Sequence, residues 1–306
     1  QKTAYEIYQC DWSSDVCSSD LISLTNTRDV SLTNLNISTT GGSGIDGTGV
    51  TNFTYKNGTI TGAGNGGFES AIAFNQNPTT GNNIAGTLTV DKSVFTNAFY
   101  SGVDVQAGNG TVSNATITNN TITNPGFSGV NFVGTGSAGS VFNLTKALID
   151  NNTITGSGGN GVQINIINNT AAGTGSIAGI AGDASNKISI TNNTVSLDTT
   201  GTNAIVISTD GGNSGSRNQA NFDISFNTLG SSSAGTVVLI GNNGYSTMTG
   251  TITNNTITAT HTANLAGGNG IGGGNGAGSQ TSASTPDLTL TVENNTISAP
   301  AMMMGT

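Results

Sequence analysis

The sequence predicts an all-β chain coiled as a solenoid of about nine turns. Three observations predict it: a short phrase that returns along the chain, a period-two alternation of apolar and polar residues before it, and a composition unlike that of a helical bundle. Charged residues make up 8% of the 306 residues and aromatics 5%, beside 46 glycines. An ordinary globular domain is about a quarter charged. The hydrophobic residues nonetheless recur at regular places, which a disordered chain would not show.

The returning phrase is Asn-Asn-Thr-Ile, complete at Asn119 to Ile122, Asn151 to Ile154, Asn254 to Ile257 and Asn294 to Ile297. Degenerate copies end at Ile37, Ile60, Phe95, Val195 and Leu229, so nine apolar residues mark the centres of nine copies. Such internal repeats decide a fold before any local propensity does. Five residues before the centres stand Leu32, Tyr55, Val90, Ile117, Ile149, Ile190, Ile224, Ile252 and Val292. Seven before stand Val30, Phe53, Leu88, Ala115, Ala147, Ile188, Phe222, Gly250 and Leu290. Thr, Ser and Asp mostly fill the gaps, and a period of two marks a strand with one buried face.

Between that strand and the centre lies a bend. Three residues before the centres stand Asn34, Asn57, Asn119, Asn151, Asn192, Asn254 and Asn294, with Lys92 and Phe226 as exceptions. Asparagine tolerates left-handed backbone and bonds neighbouring peptide groups. The row is therefore read as a sharp bend and a structural asparagine ladder.

Another strand follows each centre. Ile45, Val103, Val130, Val162 and Val237 each lie eight residues on, and Ile72, Ile205 and Ile271 take the same place after longer turns. Glycine precedes five of these eight, as in Ser101-Gly102-Val103. No single piece can bury its own face. Stacked on their equivalents at ~4.8 Å, the pieces enclose a continuous apolar core, and nine turns make a rod of roughly 40 Å. Spacings between centres vary from 23 to 41 residues, and most of the excess falls at one corner, in loops at about 168–186 and 272–286. One domain over 22–300 is expected, with an open or truncated end at 301–306.

The first 21 residues are set aside. Gln1 to Ile7 and Asp11 to Leu21 resemble two halves of a common sequencing adapter translated in one frame, with Tyr8, Gln9 and Cys10 in the place of a sample index. Both cysteines, Cys10 and Cys17, and the single Trp12 fall inside this segment. It is read as non-native, with the natural N-terminus and any signal peptide expected to have been lost where it was joined; the alternative is a polar arm closed by a Cys10–Cys17 disulfide.

With nine registers in agreement, residues 22 to 300 resemble a right-handed parallel β-helix, the architecture of the pectate-lyase-like superfamily and of many secreted bacterial adhesin and passenger proteins. The resemblance implies that any carbohydrate chemistry belongs on the outer face of the first strand of each turn. The outward positions there are Asp46, Ala73, Asp104, Asn131, Gln163, Val206, Val238 and Gly272. Glycoside hydrolysis needs two carboxylates across the scissile bond. Asp46 and Asp104 are two turns apart, ~10 Å at β stacking distance, and no third acid joins them. His261, Arg28 and Arg217 lie elsewhere in the repeat. These positions are therefore expected to be solvated polar residues, and no catalytic residue is assigned.

A candidate ligand site lies beside them. Phe68, Phe99, Tyr100 and Phe127 precede the first strand on three consecutive rungs. Phe99, Tyr100 and Phe127 can stack on sugar rings, with Asp104, Asn131 and Gln163 offering hydrogen bonds. Gly41 to Thr48 resembles one copy of a calcium-binding glycine-aspartate nonapeptide, but a lone copy supplies too few oxygens. It is read as a glycine turn, and neither metal nor cofactor is expected.

Charge and hydropathy bound the partners. Seven Lys plus Arg against sixteen Asp plus Glu give a net charge of −9, which argues against nucleic acid and anionic membrane surfaces. The longest clean aliphatic run, Val237 to Ile240, falls far short of the ~18 residues of a membrane span. The expected function is a non-catalytic extracellular or cell-surface rod of bacterial adhesin or passenger type, with an extracellular polysaccharide or cell-surface glycan as partner. The alternative is a polysaccharide lyase or glycoside hydrolase of the pectate-lyase-like superfamily.

Overall fold

The computed structural model describes residues 6–7, 20–76, 81–136, 140–168, 175–211, 217–231, 235–259, 269–276 and 286–298. Most of 1–21, including Cys10, Trp12 and Cys17, lies outside the described residues, as do His261, 169–174 and 277–285 of the two insertions, and 301–306.

The chain is a parallel β-helix of about nine turns. Each turn contributes a strand to a first sheet, then to a second, then to a third, and every sheet holds nine parallel rungs. A short strand, Glu6–Ile7, pairs antiparallel with Ile22–Thr25 at the edge of the first sheet. The first sheet runs from Ile22–Thr25 to Ile271–Gly276, the second from Arg28–Thr33 to Asp287–Glu293, and the third from Asn36–Thr40 to Thr296–Ser298.

The predicted columns are the register of the sheets. In the third sheet Ile37, Ile60, Phe95, Ile122, Ile154, Val195, Leu229, Ile257 and Ile297 are direct partners, rung on rung. The first eight are 0–2% exposed. Ile297, on the last described rung, is 51% exposed, because no further described strand stacks on it. In the second sheet the row from Leu32 to Val292 and the row from Val30 to Leu290 pair in the expected order. Aliphatic and aromatic side chains of three sheets thus meet in one core, and burying each such side chain contributes ~1.5–3 kcal/mol.

Backbone polarity explains the bend. Asn34, Asn57, Lys92, Asn119, Asn151, Asn192, Phe226, Asn254 and Asn294 all have φ between 51° and 59°. This is the left-handed region, which asparagine enters at little cost and Lys92 and Phe226 enter at ~1–2 kcal/mol. The continuous buried ladder is not this row but the next one. Asn120, Asn152, Asn193, Asn227 and Asn255 are each 1% exposed. The Nδ2 of each donates to the Oδ1 on the following rung at 2.9–3.0 Å, ending at Asn295. Their main-chain N–H groups donate to the same oxygens at 2.8–3.0 Å. The asparagines of the bend lie outside, where Asn151 donates to Asn119 at 2.8 Å and Asn119 and Asn192 donate to Asp91 and Asp150.

The glycine before the first strand answers to packing. A Cβ on Gly102 would stand 2.8 Å from Cγ2 of Ile122, and one on Gly129 2.5 Å from Cγ2 of Ile154. The missing side chain admits the third-sheet isoleucine that follows it in the chain.

Two sequence expectations need correction. Val238, not Val237, pairs with Ile205 and Ile271, so Leu239 rather than Val238 takes the outward place beside Val206 and Gly272. The preceding turn holds one extra residue, and Val237 is buried in it with its N–H on the Asn269 carbonyl. Neither insertion is all loop: Gly272 to Gly276, at the start of the one at 272–286, continue the first-sheet strand that begins at Ile271, and the one at 168–186 also holds a strand. Ile177–Ala178 forms a strand between Asn143–Leu144 and Gln219–Ala220 in the second sheet.

Candidate functional site

The outward column of the first sheet runs Asp46, Ala73, Asp104, Asn131, Gln163 on consecutive rungs. Its polar members were expected in solvent, and burial corrects that. Asp46 is 6% exposed, and Asp104 and Asn131 are 0% exposed. The strand ends supply the cover, through amide side chains that close on the carboxylates.

Asp104 is enclosed by amides. It accepts from Nδ2 of Asn75 at 2.6 Å, Nδ2 of Asn131 at 2.7 Å and Nε2 of Gln106 at 3.1 Å. Asn75 also donates to the Phe68 carbonyl at 2.7 Å, which ties the aromatic turn to the same centre. One rung before Asn75's strand, Asp46 accepts from Nε2 of Gln76 at 3.0 Å. Because the Asn131 nitrogen faces the carboxylate, its Oδ1 is left buried without a partner. Burial pushes both carboxyls up to about 6, against the amide hydrogen bonds that pull them down. The Tyr100 hydroxyl is raised to about 12 by burial and by the nearby Asp104 charge, which a hydrogen bond with Gln106 partly offsets.

The aromatic group divides. Tyr100 and Phe127 stack with ring centroids 4.6 Å apart at 8°, and Phe68 packs on Tyr100 at 5.2 Å. Phe99 makes no ring contact of this kind among the described residues and is 50% exposed; Phe68 is 60% exposed. Tyr100 and Phe127 are half-buried, and half-buried Gln163 accepts from Asn160. The structure therefore brings together Phe68, Tyr100, Phe127, Asp104, Asn131 and Gln106, and leaves Phe99 and Gln163 at its margin. Asn75, Gln76 and Gln106 were absent from the sequence reading. Asn75 and Gln76 lie just past a strand end, where the period-two pattern carries no signal, whereas Gln106 shares the outward face of Asp104 two residues on, and the alternation did mark it.

The oxygens of Asp104 are saturated by amides and closed to water. Among the described residues no group of three His, Cys, Asp or Glu side chains could hold a metal ion.

The carboxyls make stability depend on pH in a definite sense. Their ordinary value is 3.8 and their folded value about 6, so the native state binds protons more tightly than the unfolded chain. The stability they contribute is complete below the ordinary value and is lost as pH rises through about 6. Asp91, Asp183 and Asp198 are shifted down, with hydrogen bonds from neighbouring side chains and main chain holding the charged form despite some desolvation. Their effect falls at more acidic pH. Between pH ~7.5 and ~5 the buried pair therefore contributes roughly 1 kcal/mol per carboxyl, and Asp20, also raised by burial, acts in the same sense. The melting temperature should rise over that interval, and the Asp46→Asn/Asp104→Asn double variant should flatten the slope. Thermal melts at a series of pH values check this; an unchanged slope in the double variant contradicts it.

No protein-family model, curated protein or solved structure matches this chain.

Proposed function

We propose that the chain is a non-catalytic rod of the adhesin or passenger kind, displayed outside a bacterial cell and built on the pectate-lyase-like plan. One observation carries this reading. The first-sheet face where carbohydrate enzymes of that plan work has its two carboxylates buried and engaged by amides. A carboxylate that must attack a sugar or protonate a leaving group has to touch the substrate, and Asp104 is buried with amide donors on both its oxygens. The remaining partners along the column are Ala73, Asn131, Gln163, Val206, Leu239 and Gly272. Such a scaffold gains stability from stacking and presents its outer faces and corner loops to the surroundings.

Incubation with polygalacturonate, other polyuronates and neutral polysaccharides tests the reading. Neither unsaturated products nor new reducing ends should form. Cleavage by the purified chain, abolished by Asp104→Asn, would overturn it in favour of a lyase or hydrolase. The exposed Phe68 and Phe99 leave glycan binding without cleavage as a property the rod can carry, on a surface poorer in polar groups than the sequence implied.

A further inference from the structure

The outer face of the third sheet is a periodic array. Each strand there places one residue before and one after its buried centre on the outside, giving two columns over nine rungs. Seven of nine positions in the first column are threonine, as are five of nine in the second, where serine takes three more. The exceptions are Asn36, Val94 and Gly230. None of the eighteen positions carries a charge. Partners are in direct register from rung to rung, for example Thr121 on Thr153 and Thr123 on Thr155.

Strand propensity favours threonine on any exposed strand, but it does not exclude charge. The second sheet shows the difference. Its outward row includes Lys56, Asp91, Asp150 and Glu293. There Thr118, Thr191 and Thr251 spend their hydroxyls on Asp91, Asp150 and Asp223. Among the described residues, no hydroxyl of the third-sheet threonine columns has a protein partner. The array is left with its hydrogen-bonding capacity unspent.

Its geometry selects the ligand. Neighbouring rungs stand ~4.8 Å apart, and outward residues of one strand stand ~6.7 Å apart. These repeats lie close to the a and c repeats of hexagonal ice. A threonine hydroxyl both donates and accepts, as a lattice water does, and its branched side chain is stiff at χ1, so the positions stay fixed. Charged groups would hold a hydration shell of their own and break the match. Each hydroxyl alone contributes little. Only a ligand with the same period can meet all of them at once.

We propose that the outer face of the third sheet binds ice. This goes beyond the rod reading and does not depend on it, since polysaccharide cleavage on the first sheet would leave the array untouched. The array also has two gaps that can be filled. A groove of about 330 Å³ bordered by Thr194, Ser196, Thr228 and Thr258 opens where Gly230 interrupts the second column. A Cβ there would meet nothing nearer than the Val195 carbonyl oxygen at 3.8 Å, so threonine fits. Val94, 39% exposed, interrupts the first column.

Freezing hysteresis of the full chain, measured in a single-crystal osmometer, together with partition into slowly growing ice, tests the proposal. The wild-type chain should open a gap between melting and freezing and should enter the ice. Thr121→Asp/Thr194→Asp, two rungs apart so that the carboxylates do not face each other, should close the gap to the buffer baseline with an unchanged thermal melt, and Thr121→Lys/Thr194→Lys should do the same. Thr116→Asp, on the second sheet, should keep it. Val94→Thr/Gly230→Thr should widen it. A folded wild-type chain at the buffer baseline overturns the proposal, as does a gap that survives both double substitutions. Adsorption to crystalline cellulose or chitin with no effect on ice assigns the array to a polysaccharide lattice and overturns it equally.

Discussion

Ile122→Asp should unfold the rod around its fourth turn, while Thr121→Asp, one residue away, should leave the melt unchanged. Ile122 is 1% exposed and sits between Phe95 and Ile154 in the third-sheet column. The substitution removes a packed aliphatic side chain and places a carboxylate among apolar groups that offer it no donor. Cavity and desolvation together cost on the order of 5 kcal/mol. Thr121 points outward from a face that bears no charge, so a carboxylate there stays solvated and meets no like-charged neighbour. In a solenoid each turn is held mainly by its neighbours, so the damage should be sharpest in the flanking rungs. Limited proteolysis should cut first near 95–154 in the Ile122 variant. Equal melting temperatures for the two variants would show the inward and outward assignment to be wrong.

Asn152→Ala is expected to be the next most damaging change. The Asn152 Oδ1 accepts both the main-chain N–H and the Nδ2 of Asn120, at 3.0 Å each. Its own Nδ2 donates to the Ile117 carbonyl at 2.8 Å and to Oδ1 of Asn193 at 2.9 Å. Alanine would leave several buried polar groups short of a partner, each at ~1–3 kcal/mol. A loss of about 3–5 kcal/mol is expected, since part of each deficit is relieved by remaining bonds or by a water. Asn151→Ala, on the exposed row, should cost only the ~1–2 kcal/mol of a left-handed alanine, and Asn151→Gly still less. Denaturant titration of the three variants checks the order; a larger loss at Asn151 than at Asn152 would contradict the ladder.

These two rows show what the sequence made legible and what it hid. The bend was readable because asparagine at a left-handed position has a local cause, independent of tertiary partners. The ladder depends on the neighbouring turn, and the doubled asparagine masked it: both residues of Asn-Asn fit a bend, and only stacking shows that the second faces inward. A discriminating signal was present at Phe226, where the bend loses its asparagine while Asn227 is kept. Column registers were legible wherever the turn before the first strand had eight residues, and slipped at Val237, where one more residue entered it. The first-sheet site was the least legible part. Polar identity alone reads as solvent exposure, and much of the cover over Asp46 and Asp104 comes from Asn75 and Gln76, just past a strand end that no periodicity reaches, with Gln106 added from the outward face of Asp104's own strand.

Everything rests on equivalent residues lying at equal steps along one axis. Paired spin labels on the outer face of the third sheet, in a chain with Cys10 and Cys17 replaced by serine, measure those steps. Thr121 and Thr228 are three rungs apart, and Thr59 and Thr256 are six. At β spacing the separations should be ~14 Å and ~29 Å, in the ratio of the rung counts. A Thr59–Thr256 distance that does not scale with the number of turns would mean that these strands belong to separate sheets, and would contradict the stacked coil.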